Sequence, residues 1–420
     1  MRHRRLMICA DPRWLQAIAL SLLLSACSGR EETGPPVLNW YVFDEKSGAF
    51  RDAVRQCTAR ADGRYRIRIT PLPADADQQR EQLVRRLAAR DRDIDIVGMD
   101  VIWTAEFAQA GWILPWREAQ AAEAITGMLP AAVKSAVYQG RLWAVPFTTN
   151  AQLLWYRKDK VDRPATWDEL IDAAEAFDVP GTLQVQGQRY EGLTVFFISL
   201  LASAGGAVLD HDDTEVSLEP MPTRRALELL KRIGNSPAAD PALSTAREDQ
   251  SRLAFETGKP VFMVNYSYVW PSARQNAPAV AGQMGWMRWP AVVDGLPGRV
   301  TIGGINLGIG AYTRHAGMAF EAARCLASEP NQINAAQKGG LPPTIEALYR
   351  TPEVRARFPM ADTLLATLQD AVQRPRTPFY YDLSLAISHT LHPLKDIDPD
   401  ADAVRLREAV GRALKSEGLF

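Results

Sequence analysis

Histidine is scarce in this chain: there are five in 420 residues, and setting His3 aside leaves His211, His315, His389 and His392. None stands in a metal-ligating spacing such as H-E-x-x-H. Cysteine is scarcer still, and Cys9, Cys27, Cys57 and Cys325 include no Cys-x-x-Cys pair, which excludes a zinc ribbon and a thioredoxin-type redox centre. A nucleophile elbow, a P-loop and a dinucleotide fingerprint are all missing. With a formal net charge of −1 and no run of like charge, the chain is not built to coat nucleic acid or an anionic surface. Nor does any apolar run reach the ~20 residues of a membrane span. There is no internal repeat and no low-complexity tract. Asp93, Asp95 and Asp100 are the nearest approach to a glycosidase carboxylate pair, but acids at strand ends are usually solvated or structural. No catalytic residue, metal or cofactor is expected.

The N-terminus is patterned. Arg2, Arg4, Arg5 and Arg13 precede an apolar stretch from Trp14 to Leu24, which ends in Ser25-Ala26-Cys27. A basic segment, a short apolar core and small residues make a secretory leader, expected over residues 1–26. Leu24-Ser25-Ala26-Cys27 resembles a bacterial lipobox, in which Cys27 takes a lipid and becomes the new N-terminus; the alternative is a plain signal peptide. On this reading the protein is exported and anchored in the cell envelope by lipid alone, with 27–36 as a linker. Cys57 and Cys325 then remain in an oxidising compartment, which points to one disulfide, against two buried free thiols.

Beyond the linker, strand and helix patterns alternate. Val37–Phe43 reads as a buried strand, Ala49–Ala61 as a helix, and Tyr65–Thr70 as a strand with one wet face. Asp77–Arg90 is amphipathic, and Asp93–Gly98 is β-branched and apolar. Leu142–Phe147 and Leu153–Tyr156 follow as strands, and Thr166-Trp167-Asp168-Glu169 opens a helix as a capping box. Leu193–Ala204 is apolar on all sides and so a buried helix, and Val300–Gly310 is a glycine-rich crossing strand. Such alternation predicts an α/β architecture with parallel sheets under helices. The length suits two or three domains, since single cores rarely exceed ~250–300 residues.

Eleven Trp are present, several in aromatic and polar clusters: Trp40-Tyr41, Trp103, Trp155-Tyr156, Tyr266/Tyr268/Trp270 and Phe379-Tyr380-Tyr381. A sugar site needs aromatic plates for the flat C–H faces, with carboxylates, amides and Arg for the hydroxyls. More than half of these aromatics are expected in the core.

The run Asp95-Ile-Val-Gly-Met-Asp100 through Gly111-Trp112 resembles the first-lobe signature of family 1 extracellular solute-binding proteins. So does Leu142-Trp-Ala-Val-Pro146 through Trp155-Tyr156-Arg157. Glu191-Gly192-Leu193, Leu253 to Lys259, Ile302-Gly303-Gly304-Ile305-Asn306-Leu307 and Gly339-Gly340-Leu341-Pro342 fall in that family's order. Within the family the likeness is strongest to mycobacterial trehalose-binding lipoproteins, with the cysteine pair and Arg374-Pro375-Arg376-Thr377-Pro378 part of it.

The resemblance implies a periplasmic-binding-protein type II fold with two α/β lobes joined by a crossing-strand hinge. The first lobe is expected over 37–147 and 303–350, the second over 151–300 and 351–420, with hinges near 148–150 and 300–303. It further implies a monomer that closes on a disaccharide, trehalose favoured, and hands it to ABC permease subunits driven by a cytoplasmic ATPase. The implied ligand-binding residues are Asp100, Asn150, Glu248, Tyr266, Gly303, Gly304, Ile305 and Arg374. Tyr266 stands where the trehalose binders carry tryptophan, a change that bears on which sugar fits. A maltose or other oligosaccharide binder is the nearest alternative, and a secreted glycoside-active enzyme a more distant one.

Overall fold

The structure, a computed structural model, describes residues 34–73 and 75–417. The expected leader, the expected lipidation site Cys27 and most of the expected linker lie outside the described residues. The strands in chain order are β1 (Val37–Phe43), β2 (Arg66–Leu72), β3 (Ile96–Asp100), β4 (Ile113–Leu114), β5 (Val137–Tyr138), β6 (Arg141–Leu142), β7 (Ala144–Asn150), β8 (Leu153–Arg157), β9 (Leu183–Gln184), β10 (Phe262–Asn265), β11 (Met284–Met287) and β12 (Gly303–Gly310).

One sheet runs β2-β1-β3-β12-β4, with β7 also paired to β12. The other runs β11-β8-β10-β9, and β5 and β6 make a small hairpin. Each sheet carries its own core. Trp40, Phe50, Phe107, Phe147 and Leu307 centre the first, where Trp40 and Phe50 pack with ring centroids 5.0 Å apart. Trp155, Trp167, Phe196, Phe262 and Leu406 centre the second.

The helices follow from their patterns. Thr166 caps the helix Trp167–Glu175 by accepting from the Glu169 N–H at 3.1 Å, satisfying a donor the helix cannot. In Pro220–Asn235, Ala226, Leu227, Leu230 and Ile233 face inward, the stripe that a 3.6-residue period puts on one side. Glu191–Ser203 is apolar on every side and is accordingly buried among other elements.

Two expectations need adjustment. The sheets are mixed rather than parallel: β1 pairs parallel with β2 and β3, while β12 runs antiparallel to β3 and β7. The cause is β12 itself, which returns from the second core and enters the first sheet from the opposite end. Residues 336–350, expected in the first lobe, are shared between the cores: Ala336, Leu348 and Tyr349 are fully buried in the second, while Leu341 packs against the first. Asp95, as is usual for an acid at a strand end, is structural: buried, it accepts from the Asn39 N–H at 2.7 Å and from the Thr313 hydroxyl.

Cys57 and Cys325 are bonded, with Cα atoms 5.8 Å apart across 268 residues of sequence. The bridge joins the helices Ala49–Arg60 and Ala316–Leu326 over the first core.

Candidate ligand-binding site

The chain passes from the first core to the second between β7 and β8 and returns into β12, and a cleft of about 450 Å³ opens there. All eight residues singled out from the sequence line it: Asp100, Asn150, Glu248, Tyr266, Gly303, Gly304, Ile305 and Arg374.

Asp100 closes β3 and caps the short turn Val101–Trp103, its Oδ1 accepting from the Ile102 N–H at 3.2 Å. Oδ1 also meets Arg374 Nη2 at 3.1 Å, and the carboxylate is 30% exposed to the cleft. Arg374 is brought in by a bridge between Thr301 and Val372 and has only 5% of its side chain exposed. Its other arm reaches Glu191 Oε1 at 2.7 Å. Glu191 in turn accepts from Tyr380 Oη at 2.5 Å and from the Ser384 hydroxyl. Burial works to lower the Arg374 pKa, but Asp100, then Tyr380 and Glu191, outweigh it and hold the guanidinium above its ordinary value. Burial likewise raises the Glu191 carboxyl, with Arg374 the main opposing influence. A fully charged fork locked between two carboxylates is a fixed donor at the floor of the cleft.

The glycines are there for close approach. Gly303 pairs with Asn150 and Gly304 with Thr149. A Cβ on Gly303 would lie 2.1 Å from Asn150 Oδ1, and one on Gly304 would lie 2.2 Å from the Thr148 carbonyl. Gly304 also sits at φ +140°, where a side chain is strained. These positions let β7 and β12 cross tightly, and Ile305 lies in register with both Asp100 and Thr148.

On the opposite wall, buried Asn265 orients two site residues: its Oδ1 accepts from the Tyr266 N–H at 2.9 Å, and its Nδ2 donates to the Glu248 carbonyl at 2.9 Å. Burial first, then the Glu248 charge, raises the Tyr266 phenol, so it meets a ligand as a neutral hydroxyl. Burial also raises the Glu248 carboxyl, opposed chiefly by the neighbouring Tyr190 hydroxyl, although that hydroxyl lacks a partner in hydrogen-bond geometry. A carboxyl whose folded pKa is raised stabilises the fold below its unfolded pKa, and that contribution is lost as pH rises through the folded value. Glu248→Gln is therefore expected to flatten the fall in melting temperature above about pH 4.3, the ordinary Glu pKa; an unchanged profile in thermal melts would refute it.

Sequence reading missed several lining residues. Glu191 enters it only within the Glu-Gly-Leu run, although a lone carboxylate opening an otherwise apolar helix is a signal in itself. Tyr190 and Arg247 were not singled out, yet both line the cleft. Arg247 lies over the Tyr190 ring at 4.6 Å and reaches Asp75 at 3.4 Å. Nearby, Arg80 stacks on Tyr381 at 4.1 Å while both its arms hold Glu106, at 2.6 and 2.8 Å. Both contacts span the cleft, from the first core's helix Ala76–Ala88 and its cap to helices of the second. Asp370, close to Arg374 in sequence, does not compete for it, being held by Arg288 at 2.6 Å. The aromatic clusters divide: Trp40 and Trp155 are core, while Trp103, Tyr266 and Tyr268 line the cleft.

Two α/β lobes that meet at crossing strands over a ligand-sized cleft define a periplasmic-binding-protein fold. Residues 63–333 match the family described as bacterial extracellular solute-binding protein, and the chain belongs to that family. It is 27% identical over 325 residues to a "Probable ABC transporter-binding protein" of Deinococcus radiodurans, an alignment covering 74% of this chain and 76% of that one. A shorter likeness, 30% over 114 residues, covers 27% of this chain and 25% of a maltotriose-binding protein of Pyrococcus abyssi. Among solved structures, maltose-bound MalE3 of T. maritima superposes with a TM-score of 0.79 at 27% identity, covering 91% of this chain and all of that one. The GacH receptor of Streptomyces glaucescens shares the fold at 22% identity and the same TM-score, covering 91% of this chain and 99% of that one. These relatives are binding proteins rather than enzymes.

Proposed function

We propose that the cleft captures trehalose, or a close α-glucoside, and that the loaded protein delivers it to an ABC permease, tethered meanwhile through lipid on Cys27. The observation that carries this reading is the convergence of Asp100 and Arg374 with Tyr266 and Glu248 in one cleft between two cores. Carboxylates and a guanidinium fork suit vicinal hydroxyls, and tyrosines and Trp103 suit the apolar faces of a pyranose. The volume falls within the range of small-molecule sites, about 300–1,000 Å³. A sugar touching both lobes binds only the closed form fully and shifts the population toward it.

The maltose-bound structural relative supports a second reading, in which maltose or a short maltodextrin is the ligand. Calorimetry with trehalose, maltose and sucrose on protein beginning at Ser28 separates the two. Saturable binding that favours trehalose is expected, and Asp100→Ala should weaken it by about 1.5–3 kcal/mol, the worth of hydrogen bonds to a charged acceptor. Preference for maltose would transfer the assignment to the second reading, and release of glucose during incubation would overturn both.

A further inference from the structure

A second cavity, of about 480 Å³, lies between the helices Tyr380–Leu391 and Pro399–Leu414. A smaller chamber of about 120 Å³ shares Arg189 with it and Tyr190 and Glu191 with the cleft. Its lining is basic. Arg189, Arg405 and Arg412 face it, opposed by Glu408, together with the hydroxyls of Ser388 and Thr390.

These arginines are poorly occupied by the protein's own acids. Arg405 turns its Nε to Asp402 at 3.2 Å. Arg189 makes no side-chain hydrogen bond or ion pair among the described residues. Arg412 likewise makes no side-chain hydrogen bond or ion pair among the described residues, and its Nε is buried without an acceptor. Guanidinium forks and hydroxyls converging on one space suit the several oxygens of a phosphate. Leu385, Ala386 and Ala409 add apolar wall, and the volume exceeds what a bare oxyanion fills.

We propose that this cavity is a binding site for a small phosphate ester, separate from the sugar cleft. It holds the phosphate on Arg189 and Arg412 and the organic body against the apolar wall. The arrangement does not depend on which sugar the cleft takes.

The test is calorimetry on the full-length protein with glucose 6-phosphate, inorganic phosphate and glucose. Glucose 6-phosphate should saturate the site with a Kd of about 1 mM or tighter, more tightly than inorganic phosphate, and added salt should weaken it. Arg412→Gln and Arg189→Ala should each lower that affinity by about tenfold or more, as expected for loss of a charge-assisted contact, while sugar affinity at the cleft is unchanged in Arg412→Gln. Binding that survives both substitutions would place the ester elsewhere and overturn the proposal, as would the absence of binding by either phosphate. Equal affinity for the two phosphates would overturn the role assigned to the apolar wall. Because sugar binding is read on the same samples, failure here is distinguishable from failure of the proposed function.

Discussion

Arg374→Ala is expected to destabilise the protein by about 3–5 kcal/mol, the usual cost of removing one partner of a buried ion pair, and to abolish binding in the cleft. On its motif alone, Arg374 reads as a ligand-binding residue whose loss leaves the fold intact. The structure changes that expectation. Its guanidinium holds Glu191 at 2.7 Å and Asp100 at 3.1 Å and approaches the Ile302 carbonyl at 3.5 Å, so it ties the second lobe's helix Glu191–Ser203 to the end of β3 in the first. Removing it leaves Glu191 buried against Tyr380 and Ser384 without a cation. Arg374→Lys restores a charge but not the fork that serves two carboxylates at once, and should recover only part of the stability. Urea unfolding midpoints, read beside calorimetry, check both effects. A wild-type midpoint in Arg374→Ala would show that the network is dispensable to the fold.

Replacing both Cys57 and Cys325 with alanine should cost about 2–5 kcal/mol. The bond closes a loop of 268 residues, and constraining so long a loop in the unfolded chain removes much of its conformational freedom. Cys57 is fully buried, and Asn331 braces the bridge, donating to the Cys325 carbonyl at 2.8 Å and lying 3.4 Å from Cys57 Sγ. The loss should fall on the first core, where both bridged helices pack. Denaturant unfolding of the double variant, compared with the oxidised parent, measures it. Equal midpoints would mean that packing alone holds these helices together. The choice of alanine matters, because serine at a fully buried position would add an unsatisfied hydroxyl to the cost.

Local chemistry reached far in this chain. Local pattern located the all-apolar helix read as Leu193–Ala204 and found as Glu191–Ser203, and the capped helix after Thr166, because apolar runs and capping side chains act within a few residues. It also located the crossing strand: a glycine-rich run among apolar residues has few explanations besides close backbone approach. All eight selected residues reached one cleft because motif resemblance supplied long-range information that propensity lacks.

What local pattern left open was decided between segments distant in sequence. The antiparallel entry of β12 depends on where the chain comes back from, not on the residues of β12. Which core receives Leu341, and which Leu348 and Tyr349, is likewise decided by neighbours in space. Glu191 becomes a site residue only because the segment carrying Arg374, 183 positions away, folds back against it. By itself the sequence determined the elements, the family likeness and the identity of the polar groups, since each is written in short runs. Only the tertiary structure decided their partners, because burial and charge pairing are properties of neighbours in space. The cation stacked on Tyr381, the fork between two acids and the unpartnered arginines of the second cavity all belong to that second category.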